Sequence, residues 1–169
     1  MAVESFRVEG LKGVLDTLKQ LPPEVVSKNG GPVKSALRKA ALIIQRQAVA
    51  NVQAIIDAPN TGGLPSESTG LLRDNVVAQR VKPPSGKKGE RYMVRVRKKR
   101  YEGSAEWKPR TTAQIGALLE YGTEKRQAMP WMRSAFDAKR AEAIQVFEAE
   151  LPMAIDRIVK RLAKQNGVK

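Results

Sequence analysis

The stretch PVKSALRKAALIIQRQAVANVQAII, residues 32–56, decides the fold because its apolar residues recur with the period of an α-helix. The first stripe of this helix consists of Val33, Leu37, Ala40, Ala41, Ile44, Ala48, Val52 and Ile55. A second stripe flanks it and consists of Ala36, Ile43, Ala50 and Ala54. Together the stripes cover roughly half of the circumference. A small sheet covers only the first stripe, so we expect the second to contact another helix or a second subunit.

Strand patterns lie on both sides of this helix. Residues 5–9 alternate and predict a short strand, and residues 11–18 predict a short helix. Downstream, residues 76–81 and 92–97 have the alternation of strands, and the second has one apolar and one partly basic face. We therefore expect these two strands to form a basic hairpin.

Two further helices follow the hairpin. One begins near Thr111 and ends at Gly122, a residue type that commonly terminates helices. A long amphipathic helix follows Pro130, and its apolar face includes Phe136; Pro152 is expected to kink or restart it. The order of the elements, helices followed by strands and then helices again, predicts one α+β domain over residues 1–169. In it, a small, mainly antiparallel sheet has a long central helix and C-terminal helices packed on it.

The composition excludes several classes of chemistry. The chain of 169 residues has no cysteine and no histidine, which excludes disulfides, thiolate or imidazole metal sites and Ser-His-Asp catalysis. The nearest carboxylate clusters are Asp57 with Glu67 and the group Glu142, Glu148 and Glu150. The second group lies on a helix rich in lysine and arginine, where a salt-bridged solvent face explains it. We therefore expect no enzymatic activity, no metal site and no cofactor.

The charge is concentrated in one central arm. The net charge is +14, and residues 80–110 hold 12 lysines and arginines against three glutamates. We expect basic flexible loops at 82–91 and 98–110 and a basic tail at 163–169. The candidate contacts for a polyanion or another partner are Arg95, Arg97, Lys98, Lys99 and Arg100. This arm supports an alternative function, sequence-independent nucleic-acid binding. Since the chain has no signal-peptide core and no run of 18 apolar residues, we expect a soluble protein without membrane contact.

Three short motifs occur in a fixed order. They are TGLLR at 69–73, LEYGT at 119–123 and MPWMRSAF at 129–136, and GLKGVLDTL at 10–18 precedes them. In order and spacing they resemble the tail-component family of long-tailed bacteriophages, the tail-completion or head–tail joining proteins akin to minor tail protein Z. The resemblance spans about residues 8–140.

The resemblance implies a structural protein of the virion neck, made in the host cytoplasm. Such a protein completes or terminates the tail tube and joins it to the head as a ring, for which six subunits are expected. Its implied partners are other copies of itself, the tail tube protein and the head closure or connector proteins, with transient contact to genome DNA. The residues that match the family motifs are Gly70, Leu72, Arg73, Glu120, Gly122, Thr123, Pro130 and Arg133.

Some of these matching residues can be given roles. Gly70 and Gly122 are expected to permit backbone turns that a Cβ atom would block. Arg73 and Glu120 either form an ion pair, within one subunit or between two, or are separately solvated. Pro130 and Trp131 are expected to seat the last helix on the sheet by core packing.

Overall fold

The computed structural model describes residues 31–58, 68–86, 89–102, 111–124 and 126–165. Their elements are, in chain order, α1 (Gly31–Asp57), the single turn α2 (Leu71–Asp74), β1 (Val76–Val81), β2 (Arg91–Val96), α3 (Thr112–Tyr121) and α4 (Met132–Gln165). The α+β class is confirmed, as are the long central helix and the antiparallel hairpin. The strand predicted at 5–9 and the helix predicted at 11–18 lie outside the described residues.

Helix α1 is the centre of the fold. It packs along α4 more extensively than any other pair of described elements, and it also covers one face of the sheet. Ala48 of α1 and Ala135 of α4 are fully buried in the shared core. Small side chains at such a contact let two helices approach closely. The core continues through Val52 and Val76 to Trp131, which joins the helical layer to the hairpin.

The hairpin has one covered and one open face. Its register runs from Val76 opposite Val96 to Val81 opposite Arg91. Strand β2 alternates strictly between exposed and half-buried residues, so Val94 faces the core while Arg95 faces solvent. The strand begins at Arg91, which was predicted to end a loop.

Helix α4 is longer than predicted and does not restart at Pro152, which was one of the two expected outcomes there. It continues through Pro152, which is exposed, and it includes the first three residues of the predicted tail. The buried face of α4 is formed by Ala135, Ala143, Leu151 and Ala154. Phe136 follows Ala135 by about 100° around the helix. Its side chain is 45% exposed, so its predicted place on the core face is wrong.

Candidate functional site

A buried carboxylate, that of Glu120, lies at the end of α3 and caps the start of α4. Its Oε2 accepts the backbone N–H groups of Trp131 at 2.9 Å and Met132 at 2.8 Å, and its Oε1 accepts that of Arg133 at 3.1 Å. Amides in the first turn of a helix have no partner within the helix. Glu120, only 5% exposed, supplies that partner from another element, at the positive end of the helix dipole.

Arg133 binds Glu120 from the solvent side, and the contacts around these two residues form the junction between α3 and α4. Its Nε donates to Oε1 of Glu120 at 2.8 Å, and its Nη2 donates to the backbone oxygen of the same residue at 3.1 Å. The guanidinium also lies over the Tyr121 ring, 5.2 Å from its centroid, within the range of a cation–π interaction. Arg133 therefore fixes the last residues of α3 against the first turn of α4.

Two opposing effects set the ionisation of Glu120. Burial alone would raise the pKa of its carboxyl group, because the charged form loses hydration. The hydrogen bonds from the backbone of Met132, from the side chain and backbone of Arg133 and from the backbone of Trp131 act in the opposite direction. They prevail, and the pKa of Glu120 lies below its ordinary value of 4.5.

A glycine in the middle of α3 forms the second part of the junction. The indole Nε1–H of Trp131 donates to the backbone oxygen of Gly116 at 3.0 Å. A Cβ atom on Gly116 would lie 3.2 Å from the Trp131 ring and 3.3 Å from Leu72. The absence of a side chain therefore lets Leu72 and Trp131 both approach the α3 backbone. The sequence prediction overlooked Gly116, although a glycine within a helical pattern is itself a signal of close packing.

Within the chain, Arg73 and Glu120 do not form the ion pair that was one of the two alternatives. Arg73 instead donates to Asp74 at 2.8 Å and to the side-chain oxygen of Gln53 on α1 at 2.7 Å. The Glu120 carboxylate is occupied by the α4 amides and by Arg133. Both residues are held, but each by a different partner.

The other motif residues lie around this junction. Gly70 and Gly122 have φ angles of 70° and 75°, which agrees with the predicted turns. Thr123 forms an isolated antiparallel bridge with Arg126. Pro130 is exposed, so Trp131, which is 2% exposed, is the residue of this pair that packs in the core.

Replacing Gly122 with alanine is expected to lower the free energy of unfolding by about 3 kcal/mol, because backbone strain and a clash act together. A Cβ atom there would lie 2.7 Å from the Ala128 nitrogen and 2.9 Å from the Arg126 oxygen, both backbone atoms. Gly86 is a matched control, since its φ is 77° and nothing lies within 4 Å of the position that a Cβ atom would take. Urea unfolding should give G86A a loss of about 1 kcal/mol. Equal losses in both variants would contradict the clash.

The four residues of the candidate subunit interface differ in exposure. Ala50 and Ala54 are exposed and Ile43 is half-buried. Ala36 is fully buried within the chain, which leaves it unavailable to a second subunit. The open part of the second stripe is therefore the C-terminal half of α1.

The five candidate polyanion contacts are all exposed. Arg95 is held by Gln79, whose side-chain oxygen accepts two of its N–H groups at 2.6 and 3.1 Å. The backbone of Lys99 is hydrogen-bonded to Thr112 in both directions at 2.9 Å. The first residues of the loop predicted at 98–110 thus have a fixed backbone.

Within the described ranges, no group of three or more acidic side chains could hold a metal ion, and no helix is long and apolar enough to cross a membrane. No protein-family model, curated protein or solved structure matches this chain.

Proposed function

We propose that this protein is a non-enzymatic structural component of a tailed-phage virion, which completes the tail tube at the neck and joins it to the head as a ring. The observation that carries the proposal is the junction around Glu120. Residues from all three motifs, Leu72, Glu120 and Trp131 among them, belong to one contiguous set of contacts. The three motifs therefore meet at one place in the fold, which supports the family resemblance.

The chemistry of Glu120 supports a structural role. Its carboxylate accepts four N–H groups, three from the backbone and one from Arg133. Its lowered pKa keeps it ionised near neutral pH, which makes it a poor proton donor. A buried carboxylate with this environment holds two helices together and leaves little capacity for a substrate.

A ring built by rotation needs two different contact surfaces on every subunit. The exposed side of α1, with Ala50 and Ala54, is the candidate for one of them. The tail tube protein and the head closure proteins would then contact the two ends of the ring.

Light-scattering mass on a sizing column, at low and at high salt, tests the ring. We expect a ring-sized particle at both salt concentrations, because an apolar contact is not weakened by screening. The double variant A50E/A54E should reduce it to a monomer, since two carboxylates would enter an apolar contact. The matched control is A113E/A117E, an exposed alanine pair with the same spacing on α3.

Two results would contradict the proposal. A monomer at every protein and salt concentration would contradict a self-assembling ring. Equal loss of the particle in A50E/A54E and A113E/A117E would contradict the assignment of the α1 surface. Electron microscopy of the wild-type particle then gives the number of subunits.

A further inference from the structure

The open face of the hairpin carries a regular row of cations. Arg91, Met93, Arg95 and Arg97 are exposed, and the residues between them are half-buried. Alternate residues on a strand are about 6.8 Å apart, so the three arginines extend over about 20 Å. The same backbone continues into Lys98, Lys99 and Arg100, which are also exposed.

These charges are largely uncompensated. Among the described residues, no carboxylate forms an ion pair with Arg91, with Arg97 or with the three cations of 98–100. The one carboxylate of the hairpin, that of Glu90, accepts the Nε–H of Arg80 at 2.7 Å. Arg95 is bonded to the neutral amide of Gln79, which orients the guanidinium and leaves its charge in place. Glu102 is the exposed acid at the far end of the row.

The buried residue Thr112 fixes the backbone of residues 97–99. The Thr112 hydroxyl donates to the Arg97 oxygen at 2.7 Å and accepts the Lys99 N–H at 2.9 Å, and the Thr112 N–H donates to the Lys99 oxygen. Thr112 is itself fully buried at the start of α3. The cations therefore project from an ordered backbone, which reduces the entropy that binding must remove.

We infer that residues 91–100 bind the sugar–phosphate backbone of duplex DNA without reading its sequence. Arginine pairs with phosphate oxygens through two parallel hydrogen bonds. The length of the row, about 20 Å, equals the rise of about six base pairs. This inference goes beyond the proposed neck ring and does not depend on it.

Other partners fit this face less well. Single-stranded nucleic acid needs exposed aromatic rings on which bases stack. Tyr92 and Tyr101 are half-buried, and no other aromatic residue lies among the described residues of this face. A protein partner needs an apolar centre. The only large apolar side chain exposed in this described region is Met93, at 38%.

Fluorescence anisotropy of a labelled duplex, measured over a series of salt concentrations, tests the inference. The variant is R91Q/R95Q/R97Q, and the charge-matched control is K160Q/R161Q/K164Q, exposed cations near the end of α4. Wild type should bind with a log affinity that falls linearly with log salt. The hairpin variant should weaken binding about tenfold or more and reduce that slope by about 2.7, the value for three lost phosphate contacts. The control should keep most of the affinity and slope.

Three results would overturn the inference. The first is no binding of duplex by the wild-type protein at the lowest salt concentration. The second is an equal loss of affinity in both triple variants, which would assign the effect to net charge alone. The third is competition by single-stranded DNA or by poly-glutamate that equals competition by unlabelled duplex. Circular dichroism confirms that each variant is folded.

Discussion

Replacing Glu120 with alanine is expected to lower the free energy of unfolding by about 4 kcal/mol, because each buried amide group that loses its acceptor costs about 1–3 kcal/mol. The substitution removes four hydrogen bonds at once. It leaves the Trp131 amide without a partner in a buried position and the α4 N-terminus without its counter-charge. Urea unfolding followed by circular dichroism at neutral pH measures the loss.

Two further variants test whether the loss of stability in E120A comes from the Glu120 carboxylate and its charge. Glu124 is exposed and close in sequence, so E124A should change the free energy of unfolding by less than about 0.5 kcal/mol. E120Q keeps the shape and an acceptor oxygen but not the charge, and it should cost about 2 kcal/mol. A similar loss in E120A and E124A would show that the carboxylate does not cap α4.

The same carboxylate gives the protein an acid-sensitive component of stability. The pKa of Glu120 is ordinary in the unfolded chain and lower in the folded one. Its contribution is therefore complete above about pH 4.5 and is lost as the pH falls through the folded-state pKa. E120Q has no group that titrates at this position. The difference in stability between wild type and E120Q should shrink as the pH falls through this window, and a constant difference would contradict the assignment.

Replacing Trp131 with alanine is also expected to lower the free energy of unfolding by about 4 kcal/mol, within the range for large aromatic residues in a core. Trp131 is 2% exposed and contacts the hairpin layer, α3 and the helical core. The cavity would open where these elements meet. Its indole also satisfies the Gly116 carbonyl, which alanine cannot do. Chemical unfolding measures the change.

The contributions of packing and hydrogen bonding at Trp131 can be separated. W131F keeps most of the buried area but loses the hydrogen bond to Gly116. It should lower the free energy of unfolding by about 1–2 kcal/mol, less than W131A does. F136A truncates an aromatic residue of the same helix that is 45% exposed, and it should cost less than about 1 kcal/mol. If F136A destabilised the protein as much as W131A, the core position of Trp131 would be refuted.

The sequence predicted those parts of the fold that depend on periodicity. Helix α1 was expected at 32–56 and runs over Gly31–Asp57, and the hairpin strands differ from expectation by at most one residue at an end. The end of α3 at Gly122 followed from the terminating residue alone. In each case the pattern is local, because the face that a residue occupies follows from its position in the repeat.

The junction at Glu120 could not be predicted in the same way. Its residues were identified from the motifs, but the sequence left open whether Glu120 pairs with Arg73, and the partner within the chain is Arg133. Charge and order in the sequence do not reveal that the carboxylate lies beside the first turn of α4. The sequence offered a kink or a restart of the helix at Pro152, and α4 does not restart there, because its packing along α1 outweighs a local preference.

The hydrogen bonds of Thr112 bear on how many residues can lie between the two segments that they join. Arg100 pairs with Thr111 in an antiparallel bridge, and Thr112 is bonded to Lys99, so the chain segments on the two sides of residues 101–110 lie side by side. Doubling the length of a segment whose ends are already joined adds only about 0.6 kcal/mol of closure entropy. We therefore expect that a peptide inserted between these two segments leaves the helices and the hairpin in place.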